Sequence, residues 1–200
     1  MKGRPGSRRD VEAPASRRHV PVRAVVLVGF MGAGKTSVGR ALGRRLSWAF
    51  EDLDDRVQAR ERRTIAEIFR EAGEAEFRRV EHQALREALA EVETGPSRIL
   101  AVGGGAFVQA ENASLLDRVE TPTVFLDAPA DELWRRCSAD PVDRPLRRKE
   151  DEFRQLYEMR RPRYLHARLR VETGGREIER IVDQIVNSLA LDQQVSGEEK

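Results

Sequence analysis

Gly29 to Thr36 reads GFMGAGKT and satisfies the pattern G-x-x-x-x-G-K-[ST] in full. An apolar run, AVVLVG over Ala24–Gly29, leads into it, and a segment of helical periodicity from Lys35 to about Leu46 follows. That strand-to-helix setting is the one the pattern needs. Glycines at 29, 32 and 34 let the chain curl with its backbone donors turned inward, where they and the helix N-terminus can hold phosphate oxygens. Lys35 is placed to reach β- and γ-phosphates, and the Thr36 hydroxyl to ligate Mg2+. Gly29, Gly32, Ala33, Gly34, Lys35, Thr36 and the following Ser37 are therefore the expected nucleotide contacts. The alternative is a glycine-rich turn with no ligand. Such a loop specifies a nucleoside triphosphate but not what receives the phosphoryl group. There is no Asn-Lys-x-Asp segment to read guanine, and 200 residues suit a small-molecule kinase better than a motor or helicase.

Residues for an acceptor lie further along. Asp52, Asp54 and Asp55 follow a second strand candidate, SWAFED over Ser47–Asp52, and ligands of open α/β sheets sit beyond the carboxyl ends of strands. One carboxylate can touch a magnesium-bound water while another grips hydroxyls or accepts a proton. Equally, the cluster can cap and charge the next helix. In GEAEFRRVE, Gly73–Glu81, Arg78 can present a bidentate fork to a carboxylate or phosphate, oriented by Glu81 one turn on. Arg79 competes for that role, and a plain surface role is open for both. Gly103, Gly104 and Gly105 follow a third strand, where three consecutive glycines suit close approach of chain and ligand better than a simple turn. Arg144 sits in the polar segment DPVDRPLRRKE, readable as a lid that closes over phosphates or as a solvated linker. Arg160, two residues before Pro162, can grip an anion, and Arg136 completes the set. His19, His82 and His166 suggest no cluster, and Cys137 reads as a small buried residue.

The elements that must position these groups alternate. Strands are expected at Ala24–Gly29, Ser47–Asp52, Ser97–Val102, Thr121–Asp127 and, at an edge, Leu169–Thr173. Helices are expected over Lys35–Leu46, Asp54–Glu71, Glu74–Val92, Ala130–Ser138, Asp151–Arg161 (ending before Pro162) and a final one through Ile178–Leu189. Strands alternating with helices make a parallel sheet covered on both faces. Hydrophobic residues at 40% can build a core, and 36 basic against 34 acidic residues leave a balance of +2, weak grounds for nucleic-acid binding. One cysteine rules out an internal disulfide and a cysteine-cluster zinc site. No apolar run approaches the length of a membrane span, and the arginine-bearing N-terminus lacks the apolar stretch of a secretory signal, so a cytoplasmic protein is expected. Residues 1–21 read as a disordered basic arm, 22–191 as one α/β domain with a lid at about 140–150, and 192–200 as a flexible tail.

Gly29–Thr36, Asp52/Asp54, GE..FR..E from Gly73, GGG at Gly103, RPL at Arg144 and R.P.Y at Arg160 stand in the order found in shikimate kinases, and the chain resembles that family from about Val25 to Leu189. The resemblance implies a P-loop, nucleoside-monophosphate-kinase-like α/β fold of three layers, with a five-stranded parallel sheet in the order 2-3-1-4-5. It implies transfer of the ATP γ-phosphoryl group to the 3-hydroxyl of shikimate, on the way to chorismate and aromatic amino acids, by a monomer that uses ATP and Mg2+. In its terms Asp54 binds the shikimate hydroxyls and accepts the proton, and Asp52 organises Mg2+ through water. Arg78 and Arg160 hold the carboxylate, Gly103–Gly105 line substrate and γ-phosphate, Arg144 comes from the lid, and Arg136 packs near adenine. The chain departs from the family at Leu53, where Ser or Thr is common, in the lid sequence RPLRRKEDEF, at Leu165-His166-Ala167, and near Arg63, where a glycine is common. Another small-molecule kinase, gluconate-kinase-like, and a non-catalytic ATP-binding module are the alternatives.

Overall fold

Five consecutive apolar residues with both faces covered belong in the middle of a parallel sheet, and β1 (Ala24–Val28) is buried throughout and central. The computed structural model describes residues 22–119, 121–139 and 149–192. The N-terminal arm, the tail beyond Asp192 and the segment 140–148, which contains Arg144 and most of the expected lid, lie outside the described residues. β2 (Ala49–Asp52), β3 (Arg98–Ala101), β4 (Thr123–Asp127) and β5 (Leu169–Glu172) complete a sheet ordered β2-β3-β1-β4-β5. Every pairing is parallel, with Leu27 opposite Ala101, Val28 opposite Phe125, Asp52 opposite Ala101 and Asp127 opposite Glu172. All five carboxyl ends therefore reach one edge. β1 lies between β3 and β4, and the strand order reverses across it, which places the crevice above β1. β4 is also fully buried, while the edge strands β2 and β5 are mostly partly exposed.

The helices are α1 (Lys35–Leu46), α2 (Leu53–Glu61), α3 (Ile65–Thr94), α4 (Ala110–Arg118), α5 (Ala130–Ala139), α6 (Glu150–Tyr164) and α7 (Ile178–Ser188). α1 packs on α7 and β3, α3 on α2 and α4, and α5 on α6. α7 buries Ile181, Val182, Ile185 and Val186, the stripe its spacing announces. Among the described residues no helix is long and apolar enough to cross a membrane.

Four elements differ from the sequence reading. The stretch expected as one helix over 54–71 breaks after Glu61, because Arg62 takes a left-handed conformation (φ 53°). Thr64 then starts α3 with a capping box. Its hydroxyl accepts from the Glu67 amide at 3.2 Å, and the Glu67 carboxylate accepts from the Thr64 amide at 2.7 Å. The T-x-x-E string was legible, yet the surrounding polar pattern carried no stripe. The break falls beside Arg63, where the resembled family commonly has a glycine; here Arg62 supplies the turn. The expected gap before Glu74 is a kink at Gly73 (φ 81°, ψ 176°) inside one long helix. α4 was not expected at all; it buries only Asn112 and Leu116, too few for a periodic signal. α6 runs through Pro162 to Tyr164, held by the burial of Phe153, Tyr157 and Tyr164.

Candidate active site

The loop after β1 is shaped by what presses on it. A Cβ on Gly32 (φ 81°) would stand 2.7 Å from the Leu133 carbonyl oxygen and 2.9 Å from Cys137 Sγ, so α5 lies directly against the curl. Lys35 folds back over it, donating to the carbonyls of Gly29 at 3.0 Å and Phe30 at 3.2 Å. The N-cap of α1 is Gly34, with no side-chain cap and no acidic residue in the first turn. The first amides of α1 therefore receive no oxygen from a capping side chain, the arrangement that receives an anion. Gly32 to Val38 line a cavity of about 960 Å3. Gly29 contributes its carbonyl to Lys35 rather than a wall of that cavity.

Asp52 takes the capping role and also meets the phosphate loop. Its Oδ1 accepts from the Asp54 amide at 3.1 Å as the N-cap of α2, while Oδ2 accepts from Thr36 Oγ1 at 3.2 Å. The strand end and the loop end thus present two oxygen ligands side by side. Among the described residues no group of three or more His, Cys, Asp or Glu could hold a metal by itself. Oxygen donors of this kind suit Mg2+, which takes one or two protein ligands and completes its shell with phosphate and water.

Farther along the cavity Arg78 is pinned between two carboxylates. Nη1 donates to Glu81 at 2.9 Å and Nη2 to Glu74 at 3.0 Å, with its side chain 18% exposed. Arg79 points away, 62% exposed and paired with Glu76, so Arg78 alone of the two lines the cavity. Glu81 is buried (1% exposed) and also accepts from Gln109 Nε2 at 3.0 Å. Burial, with Asp54 adding to it, pushes the Glu81 carboxyl up to about 7 against the opposing pull of Arg78.

The three glycines are each closely approached. A Cβ on Gly103 would stand 3.0 Å from Asp54 Oδ1 and 3.1 Å from Glu81 Oε1; one on Gly105 would stand 2.6 Å from the Arg78 guanidinium. One on Gly104 would meet the Gly29 carbonyl and the Tyr164 hydroxyl at 3.3 Å. Tyr164 in turn donates to the Gly104 carbonyl, and Arg160, one turn before it on α6, faces the same cavity. Burial raises the Tyr164 hydroxyl far above its usual range.

Lys35, Thr36, Asp52, Asp54, Arg78, Gly103–Gly105, Arg136 and Arg160 all line this one cavity. Arg136 reaches the Gly32 carbonyl at 3.2 Å and the Thr173 carbonyl at 3.1 Å, and Glu132 at 2.6 Å, bridging the loop and the end of β5. Sequence reasoning missed Ile65, Phe69 and Phe77, an apolar wall beside Arg78, and Thr173, Arg176 and Ile178 at the opposite end. The Gly174-Gly175 turn after the last strand was the one available signal for the latter group, since it falls on the ligand-bearing edge.

Comparison with known proteins finds a family match. The shikimate kinase family model matches residues 31–190. A shikimate kinase of Thermus thermophilus is 39% identical over 173 residues, covering 84% of this chain and 91% of the relative. One of Caulobacter vibrioides is 41% identical over 174 residues, covering 84% of both. The solved shikimate kinase from Acinetobacter baumannii in complex with shikimate superposes with a TM-score of 0.77 at 32% identity, over 86% of this chain and 94% of the other.

Proposed function

The chain belongs to the shikimate kinase family, and we propose that the groups along its cavity divide the transfer of the ATP γ-phosphoryl group to the 3-hydroxyl of shikimate as follows. The amides of the cavity-lining part of the loop, from Gly32 to Ser37, with Gly32, Ala33 and Gly34 giving close approach, hold the triphosphate, and Lys35 swings from its two carbonyl partners to the β- and γ-phosphates. Arg136 lies against the adenine end, and Arg144 comes from a lid within about 140–150. Thr36 would hold Mg2+ directly and Asp52 would hold it through water; the bound ion would offset phosphate charge.

Arg78 and Arg160 take the acceptor's carboxylate, and Gly103, Gly104 and Gly105 let its ring lie against the chain. Asp54 orients the 3-hydroxyl and accepts its proton as the oxygen attacks phosphorus in line with the departing ADP oxygen. Orientation by two arginines before chemistry, and exclusion of water, direct the phosphoryl group to the hydroxyl and away from hydrolysis. The observation that carries this division is the common cavity, with the phosphate loop at one end and Arg78, Asp54 and Arg160 at the other. Family resemblance is the basis for a cytoplasmic monomer built as a single domain over 22–191.

Initial rates of ATP consumption with shikimate, with gluconate and with no acceptor test the acceptor assignment. Turnover confined to shikimate is expected; preference for gluconate, or equal turnover without acceptor, would contradict it.

A further inference from the structure

The helix that bears Arg160 is continuous but lacks a backbone hydrogen bond beside Arg160. Pro162 lies inside α6 and has no amide proton for the carbonyl four residues back. The turn that carries Arg160 and Arg161 therefore lacks one of its own hydrogen bonds. What fastens it is a carboxylate on the sheet. Asp127, 5% exposed at the carboxyl end of β4, accepts from Arg161 Nη2 at 2.8 Å and from Arg170 Nε at 2.9 Å. Its other oxygen lies 3.0 Å from the Tyr157 hydroxyl, and that hydroxyl accepts from Arg161 Nε at 3.1 Å. Tyr157 also reaches the Ala128 carbonyl at 3.1 Å.

Tyr157 and Phe153 of the same helix meet Phe30 of the phosphate loop edge-on, with ring centres 5.5 and 5.0 Å apart. α6 is thus fixed to β4 and the phosphate loop on the stripe that ends in Tyr164, one turn beyond Arg160. A buried carboxylate gripping two arginines is expensive to desolvate and is kept where it fixes geometry.

We propose that Asp127, acting through Arg161 and Tyr157, is a positioning residue that sets the aim of Arg160 at the acceptor carboxylate. The proposal rests on the assignment of Arg160 made above. Asp127 lies outside the cavity lining. Its influence travels through the proline-weakened turn, so it is felt in acceptor binding more than in ATP binding.

The test is steady-state kinetics of the full chain with each substrate varied in turn, for Asp127→Asn, Arg161→Met, Arg160→Lys and the double variant Asp127→Asn/Arg160→Lys. Asp127→Asn and Arg161→Met should each raise the KM for shikimate about tenfold, with kcat altered less than about threefold and the KM for ATP within about twofold. In the Arg160→Lys background Asp127→Asn should add little, because both changes act on one contact. Equal rises in both KM values, or the full factor reappearing in the double variant, would overturn the proposal. Should Asp127→Asn fail to fold, Arg161→Met, on a partly exposed residue, carries the same test. A raised shikimate KM in Arg160→Lys with none in Asp127→Asn or Arg161→Met sinks this inference alone. The reverse pattern sinks the role given to Arg160.

Discussion

Arg78 and Glu81 stand 2.9 Å apart on successive turns of α3, one reaching the cavity and the other almost wholly enclosed. The pair explains why a buried acid is kept on this helix. Glu81 holds one edge of the guanidinium while Glu74 takes the other, and Gln109 holds Glu81. It also makes the site sensitive to pH.

The Glu81 carboxyl is pushed from 4.5 up to about 7 by burial. Between those values the folded chain binds a proton that the unfolded chain has released, so stability falls as pH rises through that window. The contribution is at most about 3 kcal/mol. Urea unfolding at about pH 5 and about pH 8 should show the wild type losing more stability than Glu81→Gln across the interval. Parallel behaviour of the two proteins would remove Glu81 as the source.

Arg78→Ala should raise the KM for shikimate on the order of a hundredfold while ATP binding changes little, since a desolvated, charge-assisted contact is lost. Arg79→Ala should leave both near wild type, because Arg79 pairs with Glu76 on the outer surface. Kinetics of the two variants side by side decide between adjacent arginines.

Gly105→Ala places a methyl group 2.6 Å from the Arg78 guanidinium. The atoms displaced are the far end of a long side chain, so the fold should survive with a small change in Tm. The KM for shikimate should rise about tenfold as Arg78 is moved off its aim. A folded Gly105→Ala enzyme with normal acceptor kinetics would show that Arg78 tolerates the shift.

Asp52 permits its two duties to be separated. Asn is as good an N-cap as Asp, so Asp52→Asn should keep stability but need more Mg2+ for half-maximal rate, while Asp52→Ala should also lose about 1 kcal/mol of stability. Thermal unfolding and Mg2+ titration of the rate measure the two effects independently.

The sheet was legible because β1 and β4 are unbroken apolar runs and because the phosphate loop fixes the polarity of the strand before it. The glycine triplet after Val102 pointed to a ligand at close range; what the structure shows against it are the oxygens of Asp54 and Glu81 and the nitrogens of Arg78. What stayed hidden were features decided by contacts distant in sequence. The turn at Arg62 depends on a left-handed residue that nothing local marks, and α4 has too few buried positions to print a period. α6 persists past Pro162 because Tyr157 and Tyr164 are buried on either side of it, and tertiary packing outweighs local propensity there. Phe69 and Phe77, 4.8 Å apart between ring centres, form a wall only after the Gly73 kink brings their two helical segments together.

Incubating the full chain with MgATP and shikimate and identifying the product by mass and by 31P NMR tests the central claim most directly. The expected product carries one added phosphoryl group on the 3-hydroxyl, formed only when both substrates are present. Protein that binds ATP yet leaves shikimate unphosphorylated, or phosphorylates another hydroxyl, would contradict the placement of Asp54, Arg78 and Arg160 around the acceptor.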